Sequence, residues 1–423
     1  MHETTYLIVG AGVTGLSFAN FVDSEDYLIL EREPEIGGWC KTIEREGFVW
    51  DFSGHFFHFQ HPEIEQYLRD RMPDGEIVTV EKNAKILYGD DLVDFPFQKN
   101  IHQLPKDEFV DCLYDVYFRE ETAEDRDPES FEGMLYEKFG RSIAEKFLVP
   151  YNEKLYACDL EELDRDAMGR FFPHADLEDI VRNMKRSEDD SYNATFTYPR
   201  HGAIMYIDAL ASEVPDSSIA LDEALVDVDL EEKVAQTSQG RTIEFEYLVS
   251  SAPFDDLMGM VDLDHDPEVF SYNKVLVFNL GFDRKGPEGI HWIYFPERDY
   301  SFYRVGFYDN ILDTDRMSLY VEIGLPSDAE PDVDAARDTV LEDLRSPGLV
   351  DDHRLVADHT VTLDPAYVHI TQDSEQAYDE LSDRLALRGV HSIGRYGGWT
   401  YCAIEDNIVE ARSLARRFND LHH

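Results

Sequence analysis

The sequence has few basic residues for its length. Its 423 residues include 38 Lys and Arg against 89 Asp and Glu, which gives a formal net charge of −51 at pH 7. Nucleic acids and anionic lipid surfaces are bound mainly through clustered Lys and Arg, so neither is expected as a partner. The acids are spread along the whole chain, as in proteins that stay soluble at high salt, where screening removes their mutual repulsion. We therefore expect a halophilic protein in which each arginine is unusually informative.

Cysteine is also scarce, and long apolar runs are absent. Cys40, Cys112, Cys158 and Cys402 lie far apart and form no CxxC pair, which argues against a zinc site and a disulfide framework. No apolar run approaches the ~18 residues of a membrane-spanning helix, and no signal peptide precedes the first predicted strand. These absences predict a cytoplasmic protein without a metal site or a membrane span.

The sequence does contain a glycine-rich motif close to its start. Tyr6–Val9 predicts a buried strand, and Gly10, Gly12 and Gly15 follow it as GxGxxG at the head of an apolar helix. The first Gly permits the tight turn, the second lets the backbone approach a pyrophosphate, and the third lets the helix pack closely on the strand. The N-terminus of the helix then faces the phosphate charge, so the motif predicts a dinucleotide site.

A carboxylate and a second glycine pair extend this motif. Glu31 follows the second predicted strand, Tyr27–Leu30, and is placed to bind the ribose hydroxyls of a dinucleotide. Gly37–Gly38, with Lys41 behind it, resembles the second signature of the amine oxidase and protoporphyrinogen oxidase superfamily, which implies FAD rather than NAD. The cofactor-binding residues expected from both segments are Gly10, Gly12, Val13, Thr14, Gly15, Glu31, Arg32, Gly37, Gly38, Trp39 and Lys41.

In the rest of the chain the predicted secondary structure changes twice, from strand to mostly helix and then to antiparallel strands. Phe48–Phe52 alternates like a third strand, residues 61–202 contain mostly helical patterns, and residues 256–387 alternate as antiparallel strands do. The expected fold is α/β, a Rossmann-like FAD-binding domain of the glutathione reductase type with a helical insertion and an antiparallel β-sheet substrate domain. The expected division is 1–60, 203–255 and 388–423 for the FAD-binding domain, 61–202 for the insertion and 256–387 for the substrate domain.

Several short segments resemble UDP-galactopyranose mutase, a family within that superfamily. Gly54–His58 (GHFFH) reproduces the HxFH spacing of the family's loop beside the flavin. Tyr151–Tyr156 (YNEKLY) follows its Tyr-x-x-Lys-Gln-Trp pattern, and Arg304 in YRVGF is similar to an arginine that grips the substrate diphosphate. Gly394–Arg395, followed by Tyr401, resembles its C-terminal Gly-Arg and paired tyrosines.

The resemblance implies further site residues. The expected catalytic residues are His55, His58, Tyr151, Tyr156, Arg170, Arg304 and Tyr401. The additional FAD contacts expected are Gly54, His55, Gly394, Arg395, and the backbone amides of Asp406 and Asn407. One departure concerns the family's second diphosphate arginine, which should fall near residues 173–175, where the sequence reads PHA. Arg200 is the candidate substitute.

Each assignment also has a structural alternative. His55 and His58 could be core histidines that form hydrogen bonds with neighbouring residues. A metal site is not favoured, because no Asp, Cys or third His nearby completes a ligand set. Arg304 could form a structural ion pair, because 89 acids are available. The five-residue spacing of Tyr151 and Tyr156 does not place them on one helical face, which favours a loop that lines a cleft.

The resemblance implies a flavoenzyme that interconverts the pyranose and furanose forms of a nucleotide sugar through an adduct between the sugar and N5 of reduced FAD. Its substrate would be UDP-linked, its role would lie in cell-surface glycan biosynthesis, and its reductant would be NAD(P)H or a reductase. A homodimer is a further expectation. The alternative is an FAD-dependent oxidoreductase, a dehydrogenase or desaturase similar to amine oxidases or protoporphyrinogen oxidases, which would need an apolar or amine-binding cavity.

Overall fold

The structure is a computed structural model that describes residues 2–119, 126–173, 175–184 and 194–422. The strands of the nucleotide-binding region and of the segment after it are β1 His2–Val9, β2 Tyr27–Leu30, β3 Thr42–Arg45, β4 Phe48–Asp51, β5 Ile77–Glu81, β6 Ala84–Tyr88, β7 Asp91–Asp94 and β8 Thr195–Pro199. The later strands are β9 Ile219–Ala220, β10 Leu225–Asp229, β11 Val234–Thr237, β12 Thr242–Ser250, β13 Tyr272–Phe282, β14 Trp292–Tyr294, β15 Arg304–Phe307, β16 Ser318–Pro326, β17 Leu355–Val368 and β18 Val390–Ser392.

Helices connect these strands and cover the sheets. They are α1 Val13–Phe21, α2 Pro62–Arg69, α3 Lys106–Tyr117, α4 Phe131–Ile143, α5 Val149–Tyr156, α6 Leu177–Asn183, α7 Ile204–Ala211, α8 Phe254–Met260, α9 Tyr308–Leu312, α10 Val333–Arg345, α11 Gln372–Ala386, α12 Gly394–Gly397 and α13 Ile404–His422. A π-helical segment, Ala144–Leu148, joins α4 to α5. In the described parts of the chain, no helix is both long and apolar enough to cross a membrane.

The first sheet is the nucleotide-binding sheet. Its strand order is β10-β11-β12-β1-β2-β9, with β18 also beside β12. The pairs β12–β1, β1–β2, β2–β9 and β12–β18 are parallel. The strands β1 and β2 have apolar, buried centres because helices such as α1 and α13 pack on the sheet, as both-sided burial of parallel sheets requires. The expected α/β fold is therefore confirmed.

The second sheet has the order β17-β13-β16-β15-β14-β6-β7. All of its pairs are antiparallel except β14–β6. The strands β6 and β7 come from residues 61–202, which the sequence analysis assigns to a mostly helical insertion. Short strands of this kind carry little periodic signal, and they form here because β14 has an open edge that needs a partner. The domain boundaries stay a prediction, but this segment contributes strands as well as helices.

One local expectation is confirmed and one is wrong. Phe48–Phe52 is a strand that ends at Asp51, and it forms a hairpin with Thr42–Arg45. Tyr151–Tyr156 is not a loop, because it belongs to α5, which continues directly from the π-helical segment. The argument that five-residue spacing excludes one shared face is correct, but the two tyrosines lie on different faces of a helix.

Candidate active site

A cavity of about 740 Å³ extends from the carboxyl ends of β1 and β2 to the second sheet. Crevices at the carboxyl ends of parallel strands are where ligands bind in open α/β sheets. The β1–α1 turn, the segment after β2 and the 52–58 segment form one part of its wall. The other parts come from α5, from β15 and β16, and from the residues that follow β18. Cofactor and substrate regions expected from distant parts of the sequence thus share one enclosure.

The glycine turn at the start of α1 has the geometry of a phosphate cradle. Gly10 has a φ of +98°, and its amide donates to the Leu30 carbonyl oxygen at 2.8 Å, which closes the turn onto β2. The Gly37 amide donates to the Ala11 carbonyl oxygen at 2.9 Å, so the second glycine pair lies directly against the turn. The helix α1 begins after Gly12 without a side-chain cap, and its first amides are therefore open to an anion.

Glu31 lies at the end of β2 in the same part of the cavity. Its carboxylate is buried and accepts hydrogen bonds from the amides of Ala11 at 2.8 Å and Glu33 at 3.0 Å. The neighbouring Arg32 is half-exposed and lies 4.0 Å from Asp256. Lys41 is buried, with its ammonium 3.9 Å from Glu35. Trp39 also lines the cavity, so every residue expected from the two glycine segments lies on its wall except Gly15.

His55 and His58 lie on the segment after β4, and both line the cavity. Burial lowers the pKa of His55 to about 4, although the nearby Glu322 opposes that shift. Burial lowers the pKa of His58 to about 4 as well, and its Nδ1 lies 3.2 Å from the Thr195 carbonyl oxygen. Both imidazoles are therefore neutral near pH 7, where each has one N–H donor and one acceptor nitrogen.

Arg304 combines the two roles that the sequence left open. It lines the cavity, and it also forms an ion pair with Glu322 on the adjacent strand. Its Nε donates to one carboxylate oxygen at 2.5 Å and its Nη2 to the other at 2.8 Å. Burial of the guanidinium acts to lower the pKa of Arg304, but the negative charge and the hydrogen bonds of Glu322 outweigh it and hold that pKa well above its usual range. Among the described residues, Nη1 makes no hydrogen bond, so one edge of the guanidinium remains available to a ligand.

Arg395 is a second cation on the cavity wall. Its Nη1 donates to the Cys402 carbonyl oxygen at 2.9 Å, and no carboxylate among the described residues pairs with it. The guanidinium carbon lies 4.8 Å from the ring centre of Tyr401 and 5.2 Å from that of Tyr367. A partly buried cation whose neighbours are a carbonyl and tyrosines, with no carboxylate among the described residues, is well suited to an anionic or electron-rich ligand.

Tyrosines dominate the part of the cavity near the two arginines. Tyr401 stacks on Tyr367 with ring centres 5.9 Å apart, and Tyr151 meets Tyr294 edge-on at 5.2 Å. Burial raises the pKa of Tyr401 to about 12, so its hydroxyl stays protonated in ordinary buffers. The tyrosines on the cavity wall are Tyr151, Tyr294, Tyr303, Tyr320, Tyr367, Tyr396 and Tyr401.

Several of the expected residues lie outside the cavity wall. Tyr156 is fully buried and packs on Phe131, Tyr367 and His369. Arg170 donates to Gln60 Oε1 at 2.8 Å and forms an ion pair with Asp406 at 2.5 Å. Arg170 and Asp406, both expected at the site, therefore lie in a partly exposed ion pair outside the cavity wall.

Two of the expected glycines also lie off the cavity wall. Gly15 and Gly394 lie behind the wall, and a Cβ on Gly394 would come within 2.4 Å of the Thr14 hydroxyl. Asn407, in contrast, lines the cavity, and its Oδ1 accepts from the Arg395 amide at 2.8 Å. Arg200 is exposed and does not line the cavity, which removes it as the substitute for the missing arginine. Of residues 173–175, Pro173 lines the cavity and residue 174 lies outside the described residues.

Comparison with known families decides the affiliation. The sequence model of the family described as flavin containing amine oxidoreductase matches residues 14–418. The chain belongs to this family. The family implies a flavin cofactor, and the resemblance to the amine oxidase superfamily is confirmed. It also agrees with FAD as the expected cofactor, because the glycine turn, the open start of α1 and Glu31 together fit a dinucleotide.

Solved structures of the same fold are similar over the whole chain. Reduced UDP-galactopyranose mutase has a TM-score of 0.90 at 23% identity, with 100% of this chain and 95% of that chain covered. A protein of Exiguobacterium sp. 255-15, provisionally described as a protoporphyrinogen oxidase, has a TM-score of 0.77 at 17% identity, with 100% and 99% covered. At these identities the likeness shows the fold, which the flavin containing amine oxidoreductase family shares.

A curated relative covers less of the chain. The corticosteroid-binding protein of Candida albicans is 22% identical in an alignment of 275 positions that covers 59% of this chain and 52% of that protein. The chain thus spans about half the length of this relative.

Some residues at the cavity of this flavin containing amine oxidoreductase were not expected from the sequence. Glu322 and Tyr320 alternate on β16 and lie opposite Arg304 and Gly306 on β15; Tyr320 lines the cavity, and Glu322 contacts Arg304 from behind the wall. A single acid within the apolar run Ser318–Pro326 was the available signal, because an unpaired carboxylate is rarely buried in a strand. The unexpected aromatic residues on the wall include Trp292, Tyr294, Tyr303, Tyr320, Tyr367 and Tyr396.

Proposed function

We propose that this flavoprotein is a nucleotide-sugar mutase that interconverts the pyranose and furanose forms of a UDP-linked sugar. The observation that carries the proposal is the common enclosure of the dinucleotide cradle, Arg304 and the tyrosines. Sugars are bound through hydroxyl groups and aromatic faces, and tyrosine supplies both. The likeness in fold to UDP-galactopyranose mutase over the whole chain supports the same choice.

The protein's own residues would bind and orient the substrate. The free Nη1 edge of Arg304 would bind the diphosphate, while Tyr151 and Tyr401 would position the base and the sugar. The neutral His55 would donate or accept a hydrogen bond at the cofactor side of the cavity. When bound in its reduced form, FAD would supply the nucleophile of the reaction.

The cofactor contacts proposed from the geometry begin with the α1 amides for the pyrophosphate and Glu31 for the ribose. Both carboxylate oxygens of Glu31 already accept from backbone amides. To bind the ribose, Glu31 must give up one of these hydrogen bonds, or one of its oxygens must accept from an amide and a ribose hydroxyl at the same time. Reduction would come from NAD(P)H or a reductase. A cytoplasmic, homodimeric enzyme of cell-surface glycan biosynthesis in a halophile is the biological setting we propose.

One observation favours a second candidate, an FAD-dependent oxidoreductase. Glu322 neutralises Arg304, and Arg200 lies away from the cavity, so the described part of the wall shows no second arginine beside Arg304 at the expected 173–175 position or from residue 200. An aromatic enclosure that contains Trp292 and tyrosines suits an amine cation as well as a sugar. A dehydrogenase or desaturase similar to amine oxidases or protoporphyrinogen oxidases would use these surfaces without a diphosphate contact.

The two candidates differ in what the reduced holoenzyme binds. Photoreduced enzyme at high KCl would be titrated with UDP and UDP-galactopyranose, and the products would be separated by chromatography. The mutase predicts binding to the reduced form and the appearance of a furanose without net oxidation. The oxidoreductase predicts that an amine or a porphyrinogen bleaches the oxidised flavin and that oxygen restores it. That second pattern, together with no UDP binding to the reduced enzyme, would refute the mutase.

A matched pair of variants assigns the effect to the cavity. Arg304→Lys changes a cavity arginine, whereas Arg337→Lys changes an arginine on α10 that pairs with Asp334 at 3.0 Å. Only Arg304→Lys should weaken UDP binding, because the lysine ammonium cannot engage Glu322 and a phosphate through two planar edges. Equal affinities of the two variants would count against the mutase assignment.

A further inference from the structure

A single buried carboxylate joins the two halves of the cavity. Glu322 is 1% exposed and lies directly opposite Arg304 in the β15–β16 pair. Both of its oxygens accept from the Arg304 guanidinium, at 2.5 and 2.8 Å. The Ser53 hydroxyl donates to one of the same oxygens. A carboxylate that is fully engaged in this way cannot move without disturbing both of its partners.

Ser53 belongs to the segment that faces the predicted flavin site. Ser53, Gly54 and His55 all line the cavity, and the Ser53 carbonyl oxygen accepts from the Tyr308 hydroxyl at 3.0 Å. A Cβ on Gly54 would lie 2.7 Å from the Tyr320 hydroxyl oxygen, so this segment packs tightly against the second sheet. The position of the segment is therefore fixed by the strands that carry Arg304 and Glu322.

The hydrogen bonds also determine which edge of Arg304 faces a ligand. Glu322 takes the Nε–Nη2 edge, and only the side with Nη1 remains for an anion. A flexible arginine would lose conformational entropy when it bound an anion, whereas an arginine already held by a carboxylate loses less. The interaction thus lowers the net charge near the ligand but orients the remaining donors.

We propose that Glu322 is a positioning residue that orients Arg304 for an anionic ligand and, through Ser53, connects that arginine to the Ser53–His55 segment beside the flavin. The inference rests on the proposed function for the role of Arg304. Ser53 and Glu322 would thereby couple ligand binding at Arg304 to the environment of the flavin. Ligand binding at Arg304 would then alter the flavin's midpoint potential through the 53–55 segment.

Ser53 gives the cleaner test, because it carries no charge and is only partly buried. Holoenzyme with Ser53→Ala would be compared with Ser53→Thr, which keeps a hydroxyl. The control is Ser382→Ala, which changes a partly exposed serine on α11 whose hydroxyl donates to the Asp379 carbonyl oxygen. The measured quantities are FAD content, the midpoint potential without ligand, and the dissociation constant of UDP with reduced enzyme. Glu322→Asp, which keeps the charge but withdraws the carboxylate, is the second variant.

We expect Ser53→Ala to retain FAD, to shift the midpoint potential and to weaken UDP binding about tenfold, the loss typical of one hydrogen bond to a charged group. Ser53→Thr should restore both properties, Ser382→Ala should change neither, and Glu322→Asp should repeat the alanine effects. Wild-type values for Ser53→Ala, or equal shifts in Ser53→Ala and Ser53→Thr, would overturn the coupling. If wild-type enzyme binds no UDP, the proposed function fails, and the midpoint potentials still decide whether Ser53 and Glu322 influence the flavin.

Discussion

Gly15 in α1 packs against the carbonyl of Gly10, so closely that a Cβ on Gly15 would fall 2.0 Å from that oxygen. The same Cβ would lie 3.2 Å from the Ile8 side chain on β1. The role of the third glycine of the motif is therefore to let the helix approach the strand. This close approach directs the first amides of α1 into the cavity.

The first prediction concerns this contact. We expect Gly15→Ala to lower the free energy of unfolding by about 3 kcal/mol, the upper part of the range for overpacking, because the clash is with backbone. The displaced helix should also bind FAD at least about tenfold more weakly. Gly259→Ala on α8 is the control, because its Cβ would meet no atom within 4 Å and alanine favours helix. Urea unfolding and the ratio of flavin to protein absorbance provide the measurement, and an unchanged flavin content in Gly15→Ala would contradict the prediction.

The parts of the fold that the sequence predicted well depend on local signals. Tyr27–Leu30 is a strand with the predicted bounds, because a short aliphatic run between turn residues leaves few alternatives. The glycine turn could also be predicted, because each of its glycines is required for a separate steric reason. The cofactor half of the candidate site therefore followed from sequence.

The substrate half did not follow from sequence to the same extent. Glu322 and Arg304 meet only because β15 and β16 pair in one register, and sequence spacing does not reveal that register. Tyr156 was assigned to the site through a family pattern, but the rotation of α5 turns it into the core while Tyr151 faces the cavity. The second sheet also recruits Ala84–Tyr88 from a distant segment, which no local pattern indicates.

The second prediction separates stability from binding at Arg304. Arg304→Ala leaves the buried Glu322 without its partner, so we expect a loss of about 3–5 kcal/mol in the free energy of unfolding. FAD should still bind, because the glycine turn and Glu31 lie in another part of the cavity. UDP affinity, measured by isothermal titration at one fixed salt concentration, should fall at least about tenfold.

A double variant controls for the unpaired acid. Arg304→Met combined with Glu322→Met removes the buried charges together, and such replacements are often neutral or stabilising. We expect this protein to regain stability without regaining UDP affinity. A double variant that binds UDP as wild type does would show that Arg304 is only a structural ion pair.

The third prediction is a pH dependence that originates at Asp51. This carboxyl is completely buried and accepts from the Thr42 hydroxyl at 2.6 Å, the Tyr198 hydroxyl at 2.8 Å and the Ala203 amide at 3.0 Å. Burial nevertheless raises the pKa of Asp51 to about 7, from an ordinary value of 3.8. The folded state therefore holds a proton that the unfolded state releases between these two values.

The difference in proton binding determines whether stability rises or falls with pH. The stabilisation by Asp51 is complete below the unfolded pKa and is lost as the pH rises from there through about 7, which amounts to about 4 kcal/mol over the whole range. Asp51→Asn cannot titrate, so the difference in unfolding free energy between wild type and variant should change by the part of this loss that falls between about pH 5 and about pH 8, about 3 kcal/mol. Denaturant titrations at both pH values and one salt concentration measure it. A constant difference would place the pKa of Asp51 near its ordinary value.

The fourth prediction follows from the net charge of −51. At ~0.1 M salt the screening length is about 10 Å, and at ~1 M it is about 3 Å, so repulsion between surface carboxylates should weaken over this range. We expect the melting temperature of the holoenzyme to rise continuously as KCl increases from about 0.1 M to about 2 M. KCl and NaCl should raise the melting temperature equally at equal ionic strength, because screening depends on ionic charge. Sucrose is uncharged, so a low concentration of it should not reproduce the rise seen with these salts. A melting temperature that stays constant across the KCl series would contradict both the screening argument and the proposed halophilic setting.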